Sequence, residues 1–455
     1  MTAASGSGPT PPANPLDLLR TRSYIVLLAF GALIGVPVAA VAYGFLKVVD
    51  VSQEWIFQTL PGDLGFASTP VWWPVPVLAL AGLLVAAAIE YLPGTGGHEP
   101  SAGLSATGTP TGAQLPGVVV AAFVTLAFGA VLGPEAPLIA IGGGLAVLAV
   151  HLVKKDAPAQ ASVVIGAAGS FAAISTLLGS PIVGAFLLME VAGLAGPMIG
   201  VVLAPGLLAA GIGSLVFLGL NNITGWGTFS LGVPELPPFE QIDASQFLWA
   251  IAIGILGAVL GSAIRSAARH LQPLVEHRRL ALTPVFGAGV GLTAVVFHQV
   301  TDRGVGQVLF SGENALAPLI QQASGWTVGA LCLLVACKGI AYSLSLSSFR
   351  GGPTFPAMFI GAAGGIALSH LPGLPMVAGV AMGIGAMAVT MLRLPLTSVL
   401  LTVLFLQSDG VTLMPLVIVA VVVAYVASVR LTPVDADAAP AAAAPSPAIS
   451  PSAPG

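Results

Sequence analysis

The chain has 455 residues, of which 56% are hydrophobic and only 7% charged, with a formal net charge of -4 and a mean hydropathy of +0.98. An ordinary soluble domain carries roughly 25% charged residues, so the composition excludes that class and describes an integral membrane protein. Charge spread this thinly identifies no macromolecular partner beyond the lipid bilayer, and no nucleic-acid partner is expected.

Residues 1–22, "MTAASGSGPTPPANPLDLLRTR", are rich in Gly, Pro and Ser and are expected to be disordered. Arg20 and Arg22 precede the first apolar segment and argue for a cytoplasmic N-terminus, and that segment is too long for a cleaved signal peptide. Apolar runs of about 20 residues then recur from Tyr24 to Arg430, roughly a dozen of them, each long enough to cross a bilayer as a helix. The runs are continuous rather than alternating, so they fit helices and not a closed barrel. The expected fold class is an all-α, multi-pass protein of the cell membrane.

In chain order, the first broken element is "GTGGHEPSAGL", residues 94–104, in which Pro100 is expected to begin a short element after Gly96 and Gly97. His98 is a candidate anion donor, or else a local cap. The second, "AVLGPEAPLIAIGGG" at 130–144, places Glu135 between Pro134 and Pro137. The third, "GSPIVGAFLLME", starts a helix at Pro181 and ends on Glu190. Polar residues 221–246 form an expected linker between a first membrane repeat, 23–220, and a second, 247–430. In the second repeat Cys332 and Cys337 read as packing residues. Lys338 lies inside an apolar segment, where it either supports a site or snorkels and pairs. "GGPTFPAMFIGAAGG" and "RLPLTSVLLTVL" follow, the order already met in the first repeat. Residues 431–455 are low-complexity and expected to be disordered, with no soluble domain after the membrane part.

Gly/Pro-interrupted segments at corresponding places in two halves point to a midplane site built from half-helix ends. Most of the 18 Asp and Glu fall in tails, linker or segment ends, whereas Glu135 and Glu190 do not. An ionisable group inside the membrane is a functional candidate because burying it unpaired is costly. Pro137 suits the first turn of a helix, whose unpaired N–H groups and dipole make an anion site at Gly133, Glu135 and Ala136. Ionised, Glu135 plugs that site; protonated, it lets go; the plainer alternative is a capping acid. Gly351, Gly352 and Pro356 repeat the arrangement, with the amides of Thr354 and Phe355 facing the same point. Glu190 reads as a structural acid between helices.

The ordered motifs GGHEP, GPEAP, SPIVGAFLLMEV, GGPTFP and RLPLT resemble those of the CLC family of chloride channels and proton/chloride antiporters. The resemblance runs from Tyr24 to Arg430 and implies a homodimer of inverted repeats, without a cytoplasmic regulatory domain, in which Glu135 is the gating glutamate. Gly97 stands where the family has the filter serine and Glu99 where it has an aliphatic residue; Pro134 replaces a basic residue and Ala136 a glycine. Pro353 brings no N–H to a position that resembles an anion-binding amide. The last family helix's tyrosine has no counterpart, and Tyr425 lies too early for it. Val191 occupies the place of the inner proton-transferring glutamate of the antiporters, so the expectation is a passive, proton-gated path for chloride or a similar small anion. A coupled antiporter, a fluoride-selective relative and a non-transporting scaffold are the alternatives. No enzymatic activity, cofactor or metal is expected.

Overall fold

The computed structural model describes residues 19–104, 109–153, 159–193, 198–226, 232 and 242–432. The first repeat contains α1 (Arg22–Glu54), which runs through a π-turn into α2 (Leu60–Asp63), then α3 (Pro74–Tyr91), α4 (Leu115–Ala127), α5 (Glu135–Val153), α6 (Ala159–Leu178), α7 (Pro181–Val191) and α8 (Met198–Thr224). The second contains α9 (Ala244–His277), α10 (Arg279–Thr301), α11 (Glu313–Gln321), α12 (Val328–Ser348), α13 (Thr354–Leu368), α14 (Met376–Leu392), α15 (Pro395–Phe405) and α16 (Ser408–Leu431). Among the described residues β-structure is confined to a single bridge.

Nine of these helical stretches are long and apolar enough to cross a membrane, fewer than the roughly dozen expected. The shortfall comes from the broken segments: α4, α7, α13, α14 and α15 are apolar but only 10–17 residues long. Proline opens several of them. It sits in the first turn of α3, α4, α7 and α15, where a missing N–H removes no helical bond. Ser180 adds a side-chain cap to α7.

The halves pack alike. α1 lies against α6 and α8, as α9 lies against α14 and α16; α5 packs on α6, as α13 packs on α14. Glycine permits the last two crossings: a Cβ on Gly142 would meet the backbone of Gly169, and one on Gly361 the backbone of Gly383. The halves meet through equivalent helices, α3 with α10 and α7 with α15. Gly82 faces Thr283, Gly287 faces Leu78 and Gly291 faces Pro74, so α3 and α10 run antiparallel. Equivalent elements running in opposite directions define an inverted repeat.

Helix ends correct two expected boundaries. Residues 221–224 belong to α8, where the Thr224 hydroxyl bonds both Leu220 O and the Tyr43 hydroxyl. Residues 244–246 already belong to α9, whose first N–H is accepted by Asp243. The expected disorder of 1–18 and 433–455, and the middle of the linker, lie outside the described residues.

Candidate anion site

Both repeats break, and the breaks touch. After α4 the chain turns at Gly129 and runs buried through Ala130, Val131 and Leu132, with a tight turn in which Leu132 N–H donates to Ala130 O. After α12 it runs through Phe349, Arg350 and Gly351, all buried. Gly133 N–H donates to Gly352 O at 2.7 Å and Gly352 N–H to Gly133 O at 2.6 Å, an antiparallel bridge between the halves. Each break is also held by a hydroxyl of the other half. Val131 N–H donates to Ser345 Oγ on α12, and Arg350 N–H to Thr125 Oγ1 on α4. These buried backbone groups need such partners because no water reaches them.

The bridge brings the first turns of α5 and α13 together over Glu135, whose exposure is 0%. Its Oε1 accepts the Phe355 N–H at 3.0 Å. Its Oε2 has no hydrogen-bond partner, and neither has the buried Thr354 hydroxyl. The glycines leave room for the acid in this position: a Cβ on Gly352 or on Gly133 would overlap the Glu135 carboxylate. Pro356 and Thr354 are fully buried in the first turn of α13, and Tyr342 on α12 donates its hydroxyl to Pro353 O at 2.7 Å.

Two cavities reach the chain neighbours of Glu135, though Glu135 itself lines neither. A large one of about 520 Å³ is lined by Pro134, the residue before it, and by Asp50, Glu54, Glu313, Gln307 and Phe310. A small one of about 20 Å³ is lined by Ala136 and Pro137, the residues after it, and by Gly96, Gly97, His98, Arg350 and Gly351. Thus Gly97 and His98 share the small cavity with Ala136 and Pro137 rather than the acidic one. His98 is tied to its own loop, for Nε2–H donates to Gly103 O at 2.9 Å. Residues 94–104 contain the expected short element at Pro100. Pro100–Ala102 is one 3-10 turn, ended by Gly103 with φ +95.

Two expected residues lie elsewhere. Glu190 ends α7 and accepts from Leu396 N–H at 3.0 Å, Thr397 N–H at 2.8 Å and the Thr397 hydroxyl at 2.7 Å, capping α15. Val191 is the last residue of α7 and is half-buried. Lys338 neither snorkels nor pairs with an acid. Its buried ammonium donates to the carbonyls of Gln307, Val308, Leu309 and Phe310 at 3.0–3.3 Å and lies 4.4 Å from the centre of the Phe359 ring. It thereby pins the turn that walls the acidic cavity. Tyr425 is on α16, and Tyr342 is the tyrosine beside the break. Arg350, Tyr342, Thr125 and Ser345 are site residues that the sequence reading missed.

Residues 94–429 match the family model described as voltage gated chloride channel. Proteins named YfeO, provisionally assigned to ion transport, are similar: that of Salmonella schwarzengrund (strain CVM19633) is 30% identical over 364 residues, spanning 78% of this chain and 84% of the relative. The YfeO protein of Salmonella paratyphi A (strain ATCC 9150 / SARB42) is 29% identical over the same shares. Among solved structures, a slow cyanobacterial Cl-/H+ antiporter superposes with a TM-score of 0.71 at 19% identity, covering 89% of this chain and 94% of that one. A CLC-type fluoride/proton antiporter gives 0.63 at 21% identity, covering 90% and 96%. With the doubled helix order, the family match over most of the chain and nine helices among the described residues long and apolar enough to cross a membrane, this is a multi-pass membrane protein of the voltage-gated chloride channel (CLC) family, whose members move anions.

Proposed function

We propose that the chain conducts chloride, or a similar small anion, from the acidic cavity past Glu135 to the small basic cavity, and that protonation of Glu135 opens the way. What supports this reading is a fully buried carboxylate with one oxygen on the Phe355 amide and the other without a hydrogen bond of good geometry, its chain neighbours lining two cavities. Ionised, the side chain is itself the anion at the α5 and α13 helix starts; neutral, it gives up most of its attraction for those amides and dipoles. A dehydrating ion then meets amides and a partial positive charge, binding well enough to enter and weakly enough to leave. By the positive-inside rule the end bearing Arg269, Arg278 and Arg279 faces the cytoplasm, with the basic cavity toward it.

Val191 supports passive flow, since an aliphatic side chain relays no proton. A second reading, coupled exchange, has its own support: both named structural neighbours are antiporters, and Asp50, Glu54 and Glu313 line a route by which protons reach Glu135. Fluoride belongs to the test because Gly97 brings no hydroxyl and the basic cavity is small. A homodimer with one path per chain completes the proposal; cross-linking in membranes tests it.

The deciding experiment is ion flux in liposomes holding the purified protein, with chloride and fluoride compared and opposed chloride and proton gradients imposed. Flux that rises as pH falls, with a reversal potential set by the anion gradient alone, is expected. A reversal potential displaced by the proton gradient would establish exchange instead. Absence of flux for both ions would leave only the scaffold.

A further inference from the structure

We propose that the basic end of the path carries a second carboxylate gate, in which the Arg350 guanidinium binds the anion and Glu99 competes for that guanidinium. The inference rests on the anion path proposed above and deepens it. The cavity behind Ala136 and Pro137 is about 20 Å³, room for one water-sized occupant. Gly97 offers it no side-chain donor, and the His98 ring N–H is already given to Gly103 O. Arg350 supplies the full positive charge on its wall, with a side chain only 7% exposed.

That guanidinium is poorly satisfied for a buried one. Of five N–H donors, Nε reaches Thr95 O at 3.4 Å and Nη1 reaches Phe349 O at 3.3 Å, both long. Nη2 faces Glu99 Oε1 at 3.7 Å, close enough for an ion pair and too far for a hydrogen bond. A buried charge is stable only when paired and hydrogen-bonded, so the site lacks an acceptor that a small anion would provide.

Glu99 is built to fill that role incompletely. Its side chain is 41% exposed, so it remains partly in water. Gln272 on α9 draws it the other way, donating to Oε2 at 2.5 Å while also bonding Glu276 and Ser101. Glu276 and Arg279 act on Arg350 from the same helix ends with opposite signs. An arriving ion displaces a carboxylate held at a distance, and the returning carboxylate expels the ion. Arg350 unopposed would hold it too long for conduction.

The test is chloride binding to the purified, detergent-solubilised protein by calorimetry, with flux measured in parallel. Glu99→Gln removes a half-exposed competitor and should tighten binding about two- to fivefold, the reach of such a pair. Arg350→Gln should weaken binding at least about tenfold, the worth of a hydrogen bond to a charge. Adding Glu99→Gln to Arg350→Gln should then change nothing further. Unchanged or weaker binding in Glu99→Gln overturns the gate, and that variant decides alone if Arg350→Gln does not fold. Wild-type flux that responds to Glu135→Gln while Glu99→Gln binds like wild type sinks only this inference. Wild-type protein that neither binds nor passes chloride sinks the path and the gate together.

Discussion

Two carboxylates of the first repeat reach helix starts of the second, and they are held differently. Glu190 places both oxygens on α15, with three donors around them. Glu135 places one oxygen on the Phe355 amide of α13 and leaves the other bare, in a fully buried position. A hydrogen bond to a charged group contributes about 1.5–3 kcal/mol, so the bond count alone makes Glu190 much harder to dislodge. A helix start that accepts an acid therefore serves as staple or as latch according to how many of the acid's lone pairs it satisfies.

Substitutions can break this comparison or sharpen it. The largest effect is expected from Glu135→Gln. Where a carboxylate is mostly ionised its protonated fraction rises about tenfold for each unit of falling pH, so wild-type flux should climb steeply toward acid. The Gln variant, neutral at every pH, should give a high and nearly flat profile in the same liposomes. Gly352→Ala should come next, since its Cβ would occupy the place of Glu135 Oε2, the far end of a flexible side chain. Flux at alkaline pH should rise toward that of Glu135→Gln, at a packing cost of about 1–3 kcal/mol, because Ala136 N lies 3.1 Å from the added carbon. A wild-type pH profile in this variant would show that the carboxylate does not block the path.

Glu190→Gln should leave the pH profile of flux alone and lower unfolding stability by about 1–3 kcal/mol, seen as a reduced thermal midpoint in detergent. A flattened pH profile would instead place Glu190 on the proton's route. Thr397→Val, which removes only the hydroxyl among the three donors to Glu190, should cost least, about 0.5–1.5 kcal/mol, with unchanged flux.

The breaks themselves were legible because they follow from local chemistry. Proline cannot sit mid-helix without losing a bond, and paired glycines mark close approach, so Pro137, Gly351, Gly352 and Pro356 announce interrupted helices in any context. Glu135 was legible as an acid among hydrocarbon. The partners were not. Thr125 and Ser345 cap backbone more than 200 residues away in sequence, and nothing local distinguishes them from other hydroxyls in apolar helices. Arg350 lies in a break rather than in an apolar run, which hid it from a search for charges within spans. The role of Lys338 stayed open in the sequence because its acceptors are main-chain carbonyls of residues 307–310, which no side-chain pattern advertises. Around Pro100 the motif announced a short element but not its length, which Gly103 limits to one turn.

The paired glycines at the centre limit how this molecule can open. Swinging one repeat as a rigid rocker against the other would tear Gly133 from Gly352 and strand two N–H and two C=O groups in a dry interior, at about 1–3 kcal/mol for each. Motions confined to side chains leave that stitch intact. Cysteines placed in neighbouring breaks and locked by a disulfide should therefore arrest a rocking carrier and leave this one working.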